Sequence, residues 1–182
     1  MEASVEAPDL TDNEGTLVGL VERQQSITAY QISKIYEASP VSNFNTSKGK
    51  LYPLISRLKQ RGLLRGQLVE GDARGTERLM CTELGQAALV KWLKQIRPAH
   101  LLLEDPLRTK IQSFHLLTRD EQIEWLVDAK AALNDKLREL QDYGSQVTVP
   151  YHGFVHENAV MSLRARQEWV ERVLHQTVKG QH

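Results

Sequence analysis

The stretch Asn45–Gly62, NTSKGKLYPLISRLKQRG, constrains this chain more than any other. Leu51, Leu54, Ile55 and Leu58 fall at i, i+3, i+4 and i+7, which puts four apolar side chains on one face of a helix. Asn45, Thr46 and Ser47 precede the row as candidate N-caps, and Gly62 follows it as a residue able to take the positive φ that stops a helix. Lys48, Gly49, Lys50, Arg57, Lys59 and Arg61 fill most of the remaining positions. The apolar side needs a core. The cationic side needs water or an anion.

The charge distribution favours the anion. The 182-residue chain is neutral overall, with 23 basic and 23 acidic residues. Between Val41 and Met80, however, eight cations (Lys48, Lys50, Arg57, Lys59, Arg61, Arg65, Arg74, Arg78) face three acids (Glu70, Asp72, Glu77), a local excess of five. Positive charge gathered on one module of a neutral chain is the footprint of nucleic-acid binding. With 41% hydrophobic and 25% charged residues the composition is that of an ordinary globular protein, not a disordered one. No apolar run approaches the ~20 residues of a membrane span. The acidic opening MEASVEAPDL has neither the basic nor the apolar region of a secretory signal, and one cysteine, Cys81, excludes an internal disulfide framework. A cytoplasmic location is expected.

In chain order, residues 1–11 read as a solvated tail. Asp12 or Asn13 caps a first helix with Leu17, Val18, Leu20 and Val21. Thr28 with Gln31 makes a capping box for a second helix that carries Ile32, Ile35 and Tyr36 and ends before Pro40. The Asn45–Gly62 helix is the third, so the order is that of a helix-turn-helix. Periodicity then changes: Leu63–Val69 and Glu77–Thr82 flank a turn, EGDARG, and read as a β-hairpin with imperfect alternation at Leu64, Leu68, Val69, Leu79 and Cys81. Thr82 caps a fourth helix with Leu84, Ala88, Leu89, Trp92 and Ile96 on one face. The expected fold is mainly α with a small β-hairpin, an N-terminal winged helix-turn-helix over residues 12–97 and a long-helix dimerisation domain over residues 98–182.

In that second domain Pro106 opens a short helical segment, and Thr118 with Glu121 starts a long helix reaching about Tyr143. Ile123, Leu126, Lys130, Leu133, Leu137 and Leu140 alternate spacings of three and four, the seam of a coiled coil. A last helix over about 152–177 repeats the pattern with Val160, Leu163, Gln167, Val170 and Leu174. Two such helices either fold as an antiparallel hairpin against the winged helix or meet their copies in a second subunit. The homodimer is the sharper expectation, because two-fold symmetry places two third helices about 34 Å apart, one DNA turn. Lys130 and Gln167 would then select register.

Assembled in this order, the residues resemble the PadR family of bacterial transcriptional regulators, in the longer form with a Vir-type C-terminal domain. The resemblance rests on Ser47-x-Gly49-x-Leu51-Tyr52-Pro53-x-Ile55-x-Arg57-Leu58, Gly62-Leu63-Leu64, Arg74-Gly75 at the wing and Thr82-Glu83-Leu84-Gly85. DPLRTKIQSF and RARQEWVERVL are similar to the family's effector and dimerisation half. Ala29, Thr76 and Leu79-Met80 depart from it, standing where a glycine, a proline and an aromatic pair are usual.

Residue roles follow as expectations. Pro53 either lies in the first turn of a helix begun near Tyr52 or bends one begun near Ser47; the resemblance implies the second. With the leucines inward, Thr46, Gly49, Pro53, Ser56 and Gln60 face out, and small residues there let a backbone approach a groove. Lys48, Lys50, Arg57 and Lys59 are assigned to phosphate, Thr46, Ser47, Tyr52 and Ser56 to base edges or sugar, Arg74 to the minor groove and Tyr30 to a phosphate. Partners are double-stranded DNA and a second copy. The resemblance also implies a repressor released by a small aromatic effector, for which Trp92, Phe114, Trp125, Tyr151 and Trp169 are the candidate contacts. Two rival readings are a winged helix that binds protein instead of DNA and a metal-dependent sensor using His152 and His156. No metal, no cofactor and no enzymatic centre is expected, since no phosphate-cradling loop, nucleophile elbow or Cys/His pair occurs.

Overall fold

The computed structural model describes residues 6–40, 48–71, 75–101, 104–147 and 149–180. The chain forms two compact units, Met1–Leu101 and Leu102–His182.

The first unit contains α1 (Asp12–Gln24), β1 (Ile27–Thr28), α2 (Ala29–Ala38), α3 (Lys48–Gln60), β2 (Leu64–Leu68), β3 (Glu77–Cys81) and α4 (Glu83–Leu93). Its N-terminal segment departs from the expected solvated tail. Leu10 is buried in the core, Lys91 Nζ donates to the Ala7 carbonyl, and Thr11, not Asp12 or Asn13, is the N-cap of α1. Thr11 and Glu14 form a capping box, each accepting the other's backbone N–H. Thr28 and Gln31 do the same for α2, as the sequence predicts.

Helix α3 runs from Lys48 with Pro53 inside it as the sixth residue, so the helix does not begin at Tyr52. Leu51, Leu54, Ile55 and Leu58 are all buried. Its end is a Schellman motif: Gly62, at φ +70°, donates to the Lys59 carbonyl, and Leu63 donates to that of Leu58, both at 2.9 Å.

The sheet has one more strand than expected. Its order is β1-β3-β2, all antiparallel, with the two-residue β1 pairing Ile27 with Leu79 and Thr28 with Arg78. Leu64 and Leu79 face the core, whereas Leu68 is exposed. Thr82 caps α4 through the Gly85 N–H. That helix stops at Leu93, which leaves Ile96 82% exposed instead of on the buried face. The 3₁₀ turn Pro98–Leu101 stays with this unit: Arg97 donates to the Leu10 carbonyl, and His100 Nε2 lies 3.0 Å from Asp12 Oδ1.

The second unit contains α5 (Pro106–Ile111), capped by Asp105, then α6 (Arg119–Gly144) and α7 (His152–Lys179). Thr118 and Glu121 form the expected capping box at the start of α6. The long helices are antiparallel, as Arg119 on the Thr177 carbonyl, Lys130 on Glu171 and Asn134 on Gln167 show in turn. Leu126, Leu133 and Val170 are buried between them, with Leu163, Trp169 and Leu174 alongside. Of the expected seam, Leu126, Leu133, Leu163, Val170 and Leu174 pack within this hairpin, while Ile123, Leu137 and Val160 are half-buried. Lys130 and Gln167, expected to select a partner's register, have partners in their own hairpin at 2.9 and 2.8 Å. Among the described residues no helix is long and apolar enough to cross a membrane.

Candidate nucleic-acid interface

The outer side of α3 presents Gly49, Lys50, Tyr52, Pro53, Ser56 and Arg57, all exposed, opposite the buried leucine row. Tyr52 is 54% exposed and Tyr30, in the first turn of α2, 60%. Lys34 sits 5.8 Å from the centre of the Tyr30 ring and is paired with Glu37. Lys50 makes no ion pair among the described residues. Thr46, Ser47 and Arg74 lie outside the described residues, as does the side chain of Lys48; Gly75 is exposed at φ +64°.

Not all the expected phosphate contacts are free. Glu14 is 3% exposed and accepts from Arg57 Nε at 3.1 Å, from Arg61 Nη1 at 2.8 Å and from the Thr11 N–H at 2.9 Å. Burial alone would raise its carboxyl pKa, but the Thr11 N–H and the Arg61 guanidinium outweigh it and hold the group below its ordinary value. A buried carboxylate thus fixes α1 to the C-terminal half of α3. Arg61 also donates to the Asp9 carbonyl.

Lys59 performs a similar task for the wing. Its Nζ lies 2.5 and 2.8 Å from the two carboxylate oxygens of Glu77 on β3. Gly66 makes room for that pair, since a Cβ there would come within 2.8 Å of the Glu77 carboxylate. Helix α3 is therefore divided: its N-terminal turns are open, and its C-terminal cations are tied to the scaffold. Glu14 stands three residues after Thr11, the capping-box spacing, but the expected cap was Asp12 or Asn13, and no local signal marked Glu14 as counter-ion to α3.

The aromatic candidates have structural partners within their own units. Trp92 covers Gly15 and donates from Nε1 to Asp12 Oδ1 at 3.0 Å. Phe114 meets Trp125 edge-to-face at 5.2 Å, and both pack with Trp169 against the small core of the second unit. Tyr151 is exposed and stacks on Phe154. His152 Nδ1 lies 3.0 Å from the Val149 carbonyl, while His156 packs its ring on Gly144. Among the described residues no three His, Cys, Asp or Glu gather where a metal ion would bind. Cys81 is half-buried; burial pushes its thiol pKa up to about 12, with Glu22 adding to the shift, so the nucleophilic thiolate is suppressed.

Helix order, sheet order and wing place this chain among solved structures of one kind. Bacillus subtilis PadR in complex with operator DNA superimposes with a TM-score of 0.78 at 18% identity, over 92% of this chain and 99% of that one. The same regulator with p-coumaric acid gives 0.72 at 18% identity, over 90% and 94%. The Vibrio cholerae virulence activator AphA gives 0.67 at 14% identity, over 90% and 96%. At these identities the likeness establishes a shared fold, the winged helix with long C-terminal helices. The sequence matches no protein-family profile and no curated protein.

Proposed function

We propose that this protein is a sequence-specific transcriptional regulator that binds double-stranded DNA as a homodimer on a two-fold symmetric operator. The observation that carries the reading is the open N-terminal half of α3. Gly49 and Pro53 allow close approach, Tyr52 offers a hydroxyl, and Lys50 has no carboxylate partner among the described residues. Tyr30 in the first turn of α2 supplies a second polar contact beside it. In the solved PadR–operator complex a protein of the same fold is bound to DNA.

Phosphate contacts are assigned to Lys50 and to Lys48 and Arg74 of the basic segment, with Arg57 and Lys59 moved to positioning α3 and the wing. Two-fold association is supported by the apolar residues that the second unit leaves outside, among them Phe154, Val155 and Met161. Release by a small aromatic molecule, and a repressing role, rest on the family resemblance and on the PadR–p-coumaric acid complex.

The test is selection of bound fragments from a pool of random duplexes by the full chain, followed by sequencing. A symmetric motif with half-sites about 34 Å apart is expected. An unenriched pool would refute sequence-specific binding, and a single asymmetric site would refute the two-fold arrangement.

A further inference from the structure

Gly49, Pro53 and Arg57 follow one another at steps of four residues, so they form one row along the exposed side of α3. The first two carry no long side chain. Of the three, only Arg57 can reach forward from the helix, and its side chain is 56% exposed. A single bond holds it from behind, Nε donating to Glu14 Oε1 at 3.1 Å. The opposite edge of the guanidinium, its two Nη groups, makes no hydrogen bond among the described residues.

Glu14 is built to keep that hold. It is 3% exposed, and its Oε1 is shared by Arg57 and by Arg61 Nη1 at 2.8 Å. Its Oε2 accepts the Thr11 N–H at 2.9 Å, and Arg61 is anchored in turn by Nη2 on the Asp9 carbonyl. One carboxylate between two guanidinium groups leaves one positive charge unbalanced, and Arg57 is the more exposed of the pair, 56% against 31%. A long side chain without such a hold would lose rotamer freedom on meeting a ligand; here the buried carboxylate has already removed part of it.

We propose that Glu14 is a positioning residue for sequence recognition: without touching DNA, it holds Arg57 so that the two Nη groups face a paired acceptor on a base edge, such as guanine presents in the major groove. The inference rests on the chain being a DNA-binding protein. A planar fork matches two acceptors in one orientation, so fixing that orientation beforehand sharpens discrimination between bases. Glu14→Gln cannot keep the role. An amide accepts on one side only and turns its NH₂ either to the Thr11 N–H or to the two arginines. Arg57→Lys keeps the charge and loses the fork.

The experiment measures affinity of the full chain for two duplexes, the one it selects from a random pool and a random-sequence one, and takes their ratio. It compares the wild type, Glu14→Gln, Arg57→Lys and the double variant, each checked for cooperative melting. Each single change is expected to lower the ratio about tenfold, the worth of one well-placed fork. The double variant should lower it no further, since both changes remove the same contact. A loss from Glu14→Gln that is as large on the Arg57→Lys background as on the wild type overturns the proposal, because Glu14 would then act through the fold of the unit. An unchanged ratio in Arg57→Lys overturns it too, even where affinity for both duplexes falls together, as it would for a phosphate contact. Should Glu14→Gln fail to fold, Glu14→Asp, which keeps the carboxylate one methylene short of Arg57, takes its place with the same outcomes. If the wild type prefers neither duplex, the sequence-specific reading itself falls, and the role of Glu14 with it.

Discussion

The two units use similar lengths of chain to build very different interiors. Among the described residues, sixteen buried ones, from Leu10 to Leu89, form one core in the first unit, closed by α1, α3, α4 and the sheet. The central cluster of the second unit has three, Leu126, Leu133 and Val170. Two long helices have only one mutual face, so the apolar side chains on their other faces stay outside: Val127 is 50% exposed, Met161 62% and Phe154 71%. The difference teaches which half is self-sufficient. The first unit closes the larger core, although Leu68, Leu93 and Ile96 stay exposed on it; on the second unit the exposed apolar side chains are the surface on which the proposed two-fold contact rests.

The largest effect should come from the buried ion cluster of the first unit. Glu14→Ala removes the carboxylate shared by Arg57, Arg61 and the Thr11 N–H while leaving the two arginines partly exposed to water, and is expected to cost about 1.5–3 kcal/mol, read from denaturant midpoints. A loss below 1 kcal/mol would show that the cluster does not hold α1 to α3. In the second unit, Phe154→Asp with Met161→Asp should convert a dimer to a monomer by sedimentation, while unfolding of the first unit is unchanged. An unaltered mass would break the contrast between a complete unit and an incomplete one.

Acid should also separate the two regions. The Glu14 carboxyl is held below its ordinary value, so its contribution is fully present above about pH 4.3, the ordinary glutamate value, and is lost as pH falls through the lower folded value. The wild type should lose stability more steeply than Glu14→Gln over that acid window, and parallel curves would contradict the assignment. The smallest effect is expected at Lys130, whose pair with Glu171 is 40% and 44% exposed. Lys130→Ala should cost no more than about 1 kcal/mol and leave assembly intact.

The periodic parts of this fold were legible in the sequence. Leucine spacing located α1, α3 and α6, Thr-x-x-Gln and Thr-x-x-Glu marked helix starts, and the change of period after Gly62 located the wing. Other features were hidden for physical reasons. Acidic neighbours disguised Leu10 as part of a tail, and β1, two residues long, is too short to show alternation. Of the interface, the exposed face of Gly49, Lys50, Tyr52 and Pro53 was readable from helical geometry. The fate of Arg57 and Lys59 was not, because Glu14 and Glu77 lie 43 and 18 positions away in sequence. A cation count cannot tell charge facing solvent from charge already paired.

The most direct test of the central claim, that DNA meets the first turns of α2 and α3, is amide hydrogen exchange of the full chain with and without duplex. Slowed exchange at residues 29–31 and 49–52, with α7 unchanged, is the predicted result. Protection confined to α6 and α7, with those two turns exchanging as in the free protein, would contradict it.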